Sequence, residues 1–229
     1  SASPAAVASY LGVAQWYNLL QRLKLSVFES VYKYAAEARD WEKRLVPNVV
    51  VQELLIDAVL SLFLGIDMRK QNLTFIGATD ASTTYGHGAA VAPLPLRVIQ
   101  ELTRLSAKDG EHVVLHGAPA ACGKVTLDDA QGYDLGFDLG DFESVLCVQV
   151  KSPKHVNLEE AEALLRYVRW LLRSPKRFGH RVVVLLDSKV VLGAASKGRS
   201  PSIPLNRLLR RLGALCFCGG LFLHLVYVP

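Results

Sequence analysis

Three acidic residues stand where acids are costly. Asp80 closes the run Leu73-Thr-Phe-Ile-Gly-Ala-Thr-Asp80, Asp187 follows the run Arg181-Val-Val-Val-Leu-Leu186, and Glu160 lies early in a helical pattern between them. A carboxylate buried without a partner costs several kcal/mol unless it is protonated, paired or metal-bound. Three carboxylates gathered at one sheet edge would repel each other, and a divalent cation would relieve that repulsion. Oxygen donors of this kind suit Mg²⁺ or Mn²⁺. Each acid also has an ordinary reading. Asp80 before Ala-Ser-Thr is a good turn former, Glu160 in Glu159-Glu160-Ala-Glu162 suits a helix start, and Asp187-Ser188 suits a helix N-cap. Their order carries more weight than any one of them, and Glu159 competes with Glu160 for the second place.

The elements that must position these acids follow from spacing. A strand is expected over 73–80, ended by Ser82, Thr83 and Thr84, then a turn at Tyr85-Gly86-His87-Gly88 and a second strand over 89–92 that Pro93 and Pro95 stop. A helix over 95–108 and a short strand over 112–116 come next, and 118–140 is turn-rich. Residues 144–150 predict a buried strand holding Cys147 as a buried thiol. A helix introduced by 153–157 runs to about 173 on the stripe Leu158, Ala161, Leu164, Leu165, Val168 and Leu172, and Ser174-Pro175 ends it. The run 181–186 is apolar throughout and predicts a central strand. Helices over 189–195 and 205–216 and a last strand over 221–228 complete the pattern. Residues 7–64 read as helical, broken at Pro47 and resumed over 51–64. Gly117 to Gly123 before Lys124 is one residue too long for a phosphate-binding loop, and Val125 stands where a Ser or Thr would bind magnesium.

The 229 residues are 51% hydrophobic, enough for a sizeable core. The chain begins at Ser1 without a methionine, so it is expected to be processed or cut from something longer. The most apolar stretch, 212–228, is broken by Gly219-Gly220 and interrupted by His224, so no transmembrane segment is expected. Cys216-Phe-Cys218 has the wrong spacing for a zinc knuckle, and with Cys122 and Cys147 it fits a reducing intracellular compartment. The net charge of +5 is uneven. Lys189, Lys197, Arg199, Arg207, Arg210 and Arg211 crowd into one segment, which suits a phosphate backbone or, equally, a solvated helix face.

Several motifs resemble the ribonuclease H domain of retroelement reverse transcriptases. Thr79-Asp80-Ala81-Ser82 with Gly86-His-Gly88-Ala89 resembles its first hairpin. His155-Val-Asn157-Leu-Glu-Glu160-Ala-Glu-Ala163 is similar to its Asn-x-x-Glu-x-x-Ala helix start, Val184-Leu-Leu-Asp187-Ser188 to the strand of its third acid, and Leu223-His-Leu-Val-Tyr-Val-Pro229 to its last strand. The resemblance covers roughly 73–229. Upstream, Tyr10-Leu-Gly-Val-Ala-Gln-Trp16 and Glu53-Leu54 look like the helical connection that precedes such domains.

The resemblance implies an α/β fold: a mixed five-stranded sheet flanked by helices over 71–229, with an insertion at about 93–141, preceded by a helical segment over 1–70. It implies an endonuclease that cuts RNA in RNA–DNA hybrids with Mg²⁺ or Mn²⁺. Asp80, Glu160 and Asp187 would be catalytic and metal-binding, with Asp80 bridging two ions, Glu160 holding one and Asp187 holding the ion of the attacking water. The six basic residues would follow the nucleic acid. The family's fourth carboxylate comes after its last strand, and the sequence stops at Pro229, so loss of activity is an open expectation. The alternative is a non-enzymatic retroelement-derived subunit that serves as a structural or binding part of a larger assembly. An integrase- or resolvase-like nuclease is a weaker third option, because the upstream helices do not resemble an integrase.

Overall fold

The computed structural model describes residues 1–36, 41–62, 64–65, 67, 69–82, 84–106, 112–115, 132–150 and 154–229. The glycine-rich stretch 117–123, Cys122 and much of the 93–141 insertion lie outside the described residues. The chain divides into two compact units, one formed by Ser1–Met68 with Ala195–Gly213, the other by Arg69–Ala194 with Ala214–Pro229.

The first unit is helical. Ser3 caps helix α1 (Pro4–Asn18) by accepting the Ala6 amide, with Pro4 in the first turn. A 3₁₀ segment, Leu19–Val27, leads to α2 (Ser30–Ala36), and α3 (Asn48–Ser61) starts after Pro47. Val7, Leu11, Phe28, Val31, Tyr34 and Val50 form its core. Helix α3 is inverted relative to the usual amphipathic pattern. Its acids Glu53 and Asp57 are buried, while Leu55 and Val59 are 59% and 56% exposed. The burial is answered atom by atom. Glu53 accepts the amides of Glu29, Ser30 and Val31, each at 2.9 Å, and so caps α2. Asp57 meets Lys24 at 2.9 Å, Asn18 at 3.0 Å and the Tyr10 hydroxyl at 2.8 Å. In the same unit, the Arg210 guanidinium donates to the Ser26 and Val27 carbonyls.

The second unit is built on one mixed sheet. Its strands are β1 (Phe75–Ser82), β2 (Gly86–Pro93), β3 (His112–Val113), β4 (Gly132–Tyr133), β5 (Glu143–Val148), β6 (Arg181–Leu186) and β7 (Phe222–Tyr227), in the order β4-β3-β7-β6-β1-β2-β5. Among the described residues the sheet therefore has seven strands, two more than the five expected. The extra pair, β3 and β4, comes from the inserted segment and extends the parallel side beyond β7. β1 pairs antiparallel with β2, and β2 with β5, while β1, β6 and β7 run parallel.

β6 is the middle strand of the seven and buried along almost its whole length, as its apolar sequence requires. Helix α4 (Leu96–Leu105) lies against β6 and β7, and α5 (Val156–Leu171) against β1 and β2. Helices α6 (Lys189–Lys197) and α7 (Ile203–Gly219) precede β7. Two expectations are corrected at the far edge. Among the described residues β5 is the last strand of the sheet, and it is half exposed rather than buried. Cys147 on it is accordingly exposed.

Two glycines matter for the geometry that follows. A Cβ at Gly77 would lie 2.3 Å from the Tyr167 ring, so glycine lets α5 close onto β1. Gly86 has φ +112°, and a Cβ there would meet the Val148 carbonyl at 2.1 Å. Its left-handed backbone starts β2 earlier than the 89–92 run suggests, placing His87 inside the ladder opposite Ala81.

Candidate metal centre

Asp80 sits near the carboxyl end of β1. β6 runs parallel beside it with Ala78 opposite Leu185, and the same register carried two residues on brings Asp187 alongside Asp80. The third acid comes from the helix that crosses this corner. His155 caps α5 by accepting the Asn157 amide at 3.3 Å, so the first turn of α5 delivers Glu159 and Glu160 to the strand ends. One oxygen each of Asp80, Glu160 and Asp187 lie within 4.8 Å of one another. Asp80 and Asp187 are exposed, whereas Glu160 is 4% exposed.

The structure separates the two adjacent acids. Glu160 turns to β1, where its Oε1 accepts the Ala81 amide at 3.2 Å. Glu159 turns to β2, where its Oε2 accepts from His87 Nε2 at 2.6 Å while its Oε1 accepts the Lys154 amide. Glu160, not Glu159, therefore joins Asp80 and Asp187.

The electrostatics of the two acids are opposed. Burial, followed by the charges of Asp187 and Asp80, pushes the Glu160 carboxyl up to about 8, against the weaker pull of the Ala81 amide. Asp187 is also raised, by burial and then by Asp80. For Glu159, burial acts upward as well, but hydrogen bonds from Lys154 and His87 and the fields of both residues outweigh it and hold the group below its ordinary value.

Among the described residues, Glu160 Oε2 is buried and has no hydrogen-bond partner. A buried acid crowded by two others, with one of its oxygens left without a partner, fits a divalent cation held by oxygen donors. A second grouping, His87, Glu159 and Glu162, is as tight in distance. There the charges are already answered, since Glu159 has His87 and the Lys154 amide, and Glu162 has Lys154 Nζ at 3.1 Å.

Beside the three acids lies a cleft of about 400 Å³ lined by Asn157, Glu160, Asp187, Ser188, Lys189 and Tyr227, with Val156 and Val190. Lys189 places its ammonium 4.8 Å from the Tyr227 ring. No family model, curated protein or solved structure matches this chain. Of the six basic residues singled out in the sequence, Lys189 alone shares a unit with the acids. Lys197, Arg199, Arg207, Arg210 and Arg211 belong to the helical unit. There Arg199 lies over the Tyr32 ring at 4.6 Å, and Arg210 is engaged by backbone carbonyls and lies 3.7 Å from Glu29. His87 falls in a stretch whose sequence predicts a turn, whereas the structure places it in the β1–β2 ladder opposite Ala81, with its alternation into the apolar run 89–92 as the signal of an inward-facing position. Among the described residues no helix is long and apolar enough to cross a membrane.

Proposed function

We propose that this chain carries a ribonuclease H-like, metal-dependent nuclease site that hydrolyses the RNA strand of RNA–DNA hybrids. The observation that carries the reading is the meeting of Asp80, Glu160 and Asp187, one oxygen of each within 4.8 Å of the others, with Glu160 buried and its Oε2 unanswered. The sheet supports it, because β5-β2-β1-β6-β7 has the antiparallel start and parallel finish that the sequence motifs lead one to expect, with β3 and β4 as additions.

Asp80, Glu160 and Asp187 would hold the cation, Mg²⁺ or Mn²⁺. Bound there, such ions neutralise a phosphodiester and activate water for in-line attack. The remaining work falls to the chain's own side chains. Lys189, in the cleft lining, would supply positive charge for a neighbouring phosphate, and Asn157 and Ser188 in the same lining would offer donors and acceptors for a sugar hydroxyl. Arg207 and Arg211, exposed on α7, are available to a backbone elsewhere, whereas Arg210 is held within its own unit.

One observation favours a second role, as a binding subunit within a larger assembly. Val51, Leu55 and Val59 on α3, with Leu62 just after it, form an exposed apolar stripe at helical spacing, of the kind that a protein partner covers. The two roles are compatible. The deciding assay incubates an RNA–DNA hybrid with the chain and Mg²⁺ or Mn²⁺, with Asp80→Asn beside it. Cleavage by the wild type alone, abolished by a chelator, is expected. Equal traces from both proteins remove the enzymatic reading.

A further inference from the structure

We propose that His87 and Glu159 are a positioning pair whose task is to aim Glu160 at Asp80 and Asp187, a role that rests on the metal-centre reading above. The argument is geometric. Neighbouring residues of a helix point about 100° apart, and the first turn of α5 uses that divergence to grip two strands at once. Glu159 reaches β2 through His87 Nε2 at 2.6 Å, and Glu160 reaches β1 through the Ala81 amide at 3.2 Å. His87 and Ala81 are themselves direct partners in the β1–β2 ladder. The four residues thus close a frame, with one side a strand pair, one side a helix step and two sides hydrogen bonds.

The frame accounts for three of the four oxygens of the two acids. Glu159 Oε1 has the Lys154 amide, Glu159 Oε2 has His87, and Glu160 Oε1 has the Ala81 amide. The one left over is Glu160 Oε2, buried and without a hydrogen-bond partner among the described residues, on the acid that lies within reach of Asp80 and Asp187. His87 and Glu159 are each 1% exposed, so neither can trade its partner for water without moving. With His87 replaced by an apolar side chain, Glu159 must leave its burial site for solvent. The first turn of α5 turns with it, and Glu160 is carried off its aim. Gly86 completes the device, since its positive φ starts β2 where His87 faces inward.

The test is Mn²⁺ binding, followed by calorimetric titration of the purified whole chain below the unfolding temperature of every variant. His87→Leu should weaken Mn²⁺ binding by about 10- to 100-fold, the usual consequence of removing a group that orients a metal ligand. His87→Gln, whose amide can donate to Glu159, should recover part of it. In metal-free protein, the Ala81 amide resonance should move in His87→Leu and move back in His87→Gln. Leu102→Ala, a core substitution on α4, supplies the control for mere destabilisation: its melting temperature falls while its Mn²⁺ affinity stays that of the wild type. If His87→Leu does not fold, His87→Asn, whose shorter amide falls short of Glu159, carries the same expectation. Wild-type affinity in the folded His87 variant, with an unmoved Ala81 resonance, overturns the pairing and leaves the metal centre standing. No Mn²⁺ uptake by the wild type overturns both.

Discussion

Asp57 in the helical unit and Glu160 in the sheet unit are buried to nearly the same degree, 2% and 4% exposed, and the chain treats them in opposite ways. Asp57 is surrounded by donors, with a lysine, an amide and a phenol around one carboxylate. Glu53, one turn earlier on α3, is answered by three backbone amides. Glu160 receives one amide and faces two further acids. A buried charge with its partners present fixes a structure, and a buried charge without them leaves an electrostatic debt that only a proton or an external cation can settle. The contrast separates acids whose charges hold helices together from an acid whose charge has one donor and two acidic neighbours.

The largest way to break this contrast is to strand Asp57. Lys24→Met leaves a buried aspartate without its counter-charge and should cost about 3–5 kcal/mol of stability, read as a fall in the urea midpoint. Adding Asp57→Leu to Lys24→Met should return part of that loss, because the penalty belongs to the uncompensated charge. A loss that the second substitution deepens instead would show that Asp57 is held mainly by Tyr10 and Asn18. Glu53→Gln is the next step down. It keeps the shape but weakens three charge-assisted hydrogen bonds at the start of α2, and should cost about 1.5–3 kcal/mol. An unchanged urea midpoint would mean that α2 is capped without the charge.

Glu160→Gln should have the opposite sign in metal-free protein. The folded-state value of Glu160, about 8, lies above the ordinary 4.5 of the free group. The folded state therefore binds this proton more tightly than the unfolded state, and the wild type loses stability as pH rises from about 4.5 towards 8. Glu160→Gln removes that loss. It should melt a few degrees higher than the wild type at pH 8, match it near pH 4.5, and lose the melting-temperature rise that Mn²⁺ gives the wild type. A lower melting temperature at pH 8 would place Glu160 with Asp57 and Glu53 as a structural acid, and the contrast would fail.

Much of the arrangement around Glu160 was legible before any coordinates. β1, β6 and α5 announce themselves through β-branched runs, an unbroken apolar strand and a helical stripe ended at Ser174-Pro175, and these three elements carry the three acids. The choice between Glu159 and Glu160 was not legible, because both lie in one helical turn and the partner that separates them, His87, sits in a stretch that reads as a turn. β3 and β4 are two residues each and leave no periodicity to detect. β5 misled because apolar content speaks for burial, whereas position at the sheet edge is a property of the whole fold. The basic segment is continuous in sequence, but Lys189 belongs to the sheet unit while Arg210 is engaged by the carbonyls of Ser26 and Val27, a division that charge spacing alone does not show. Helix α3 inverts the expected pattern, since three amides and a lysine make the acidic face the inner one.

His224 offers the smallest and sharpest test, because it is a half-buried titratable group outside the acidic grouping. On β7 its Nδ1 meets the Ser106 hydroxyl at 2.9 Å, and its Nε2 has no partner among the described residues. Burial, aided by the charge of Arg181, pushes the imidazole down to about 4. The folded state thus holds His224 neutral where the unfolded chain, with an ordinary value near 6.5, takes up a proton. Its contribution is fully present above pH 6.5 and is lost as pH falls towards 4, with a slope of at most about 1.4 kcal/mol per pH unit. His224→Asn should flatten the stability profile in that window and leave the Mn²⁺ response untouched. If His224→Asn abolished the metal response too, an orphaned polar atom alone would be enough to mimic the Glu160 phenotype. The distinction between a group that merely sheds its charge and one that recruits a cation would then have to be drawn from the three oxygens themselves.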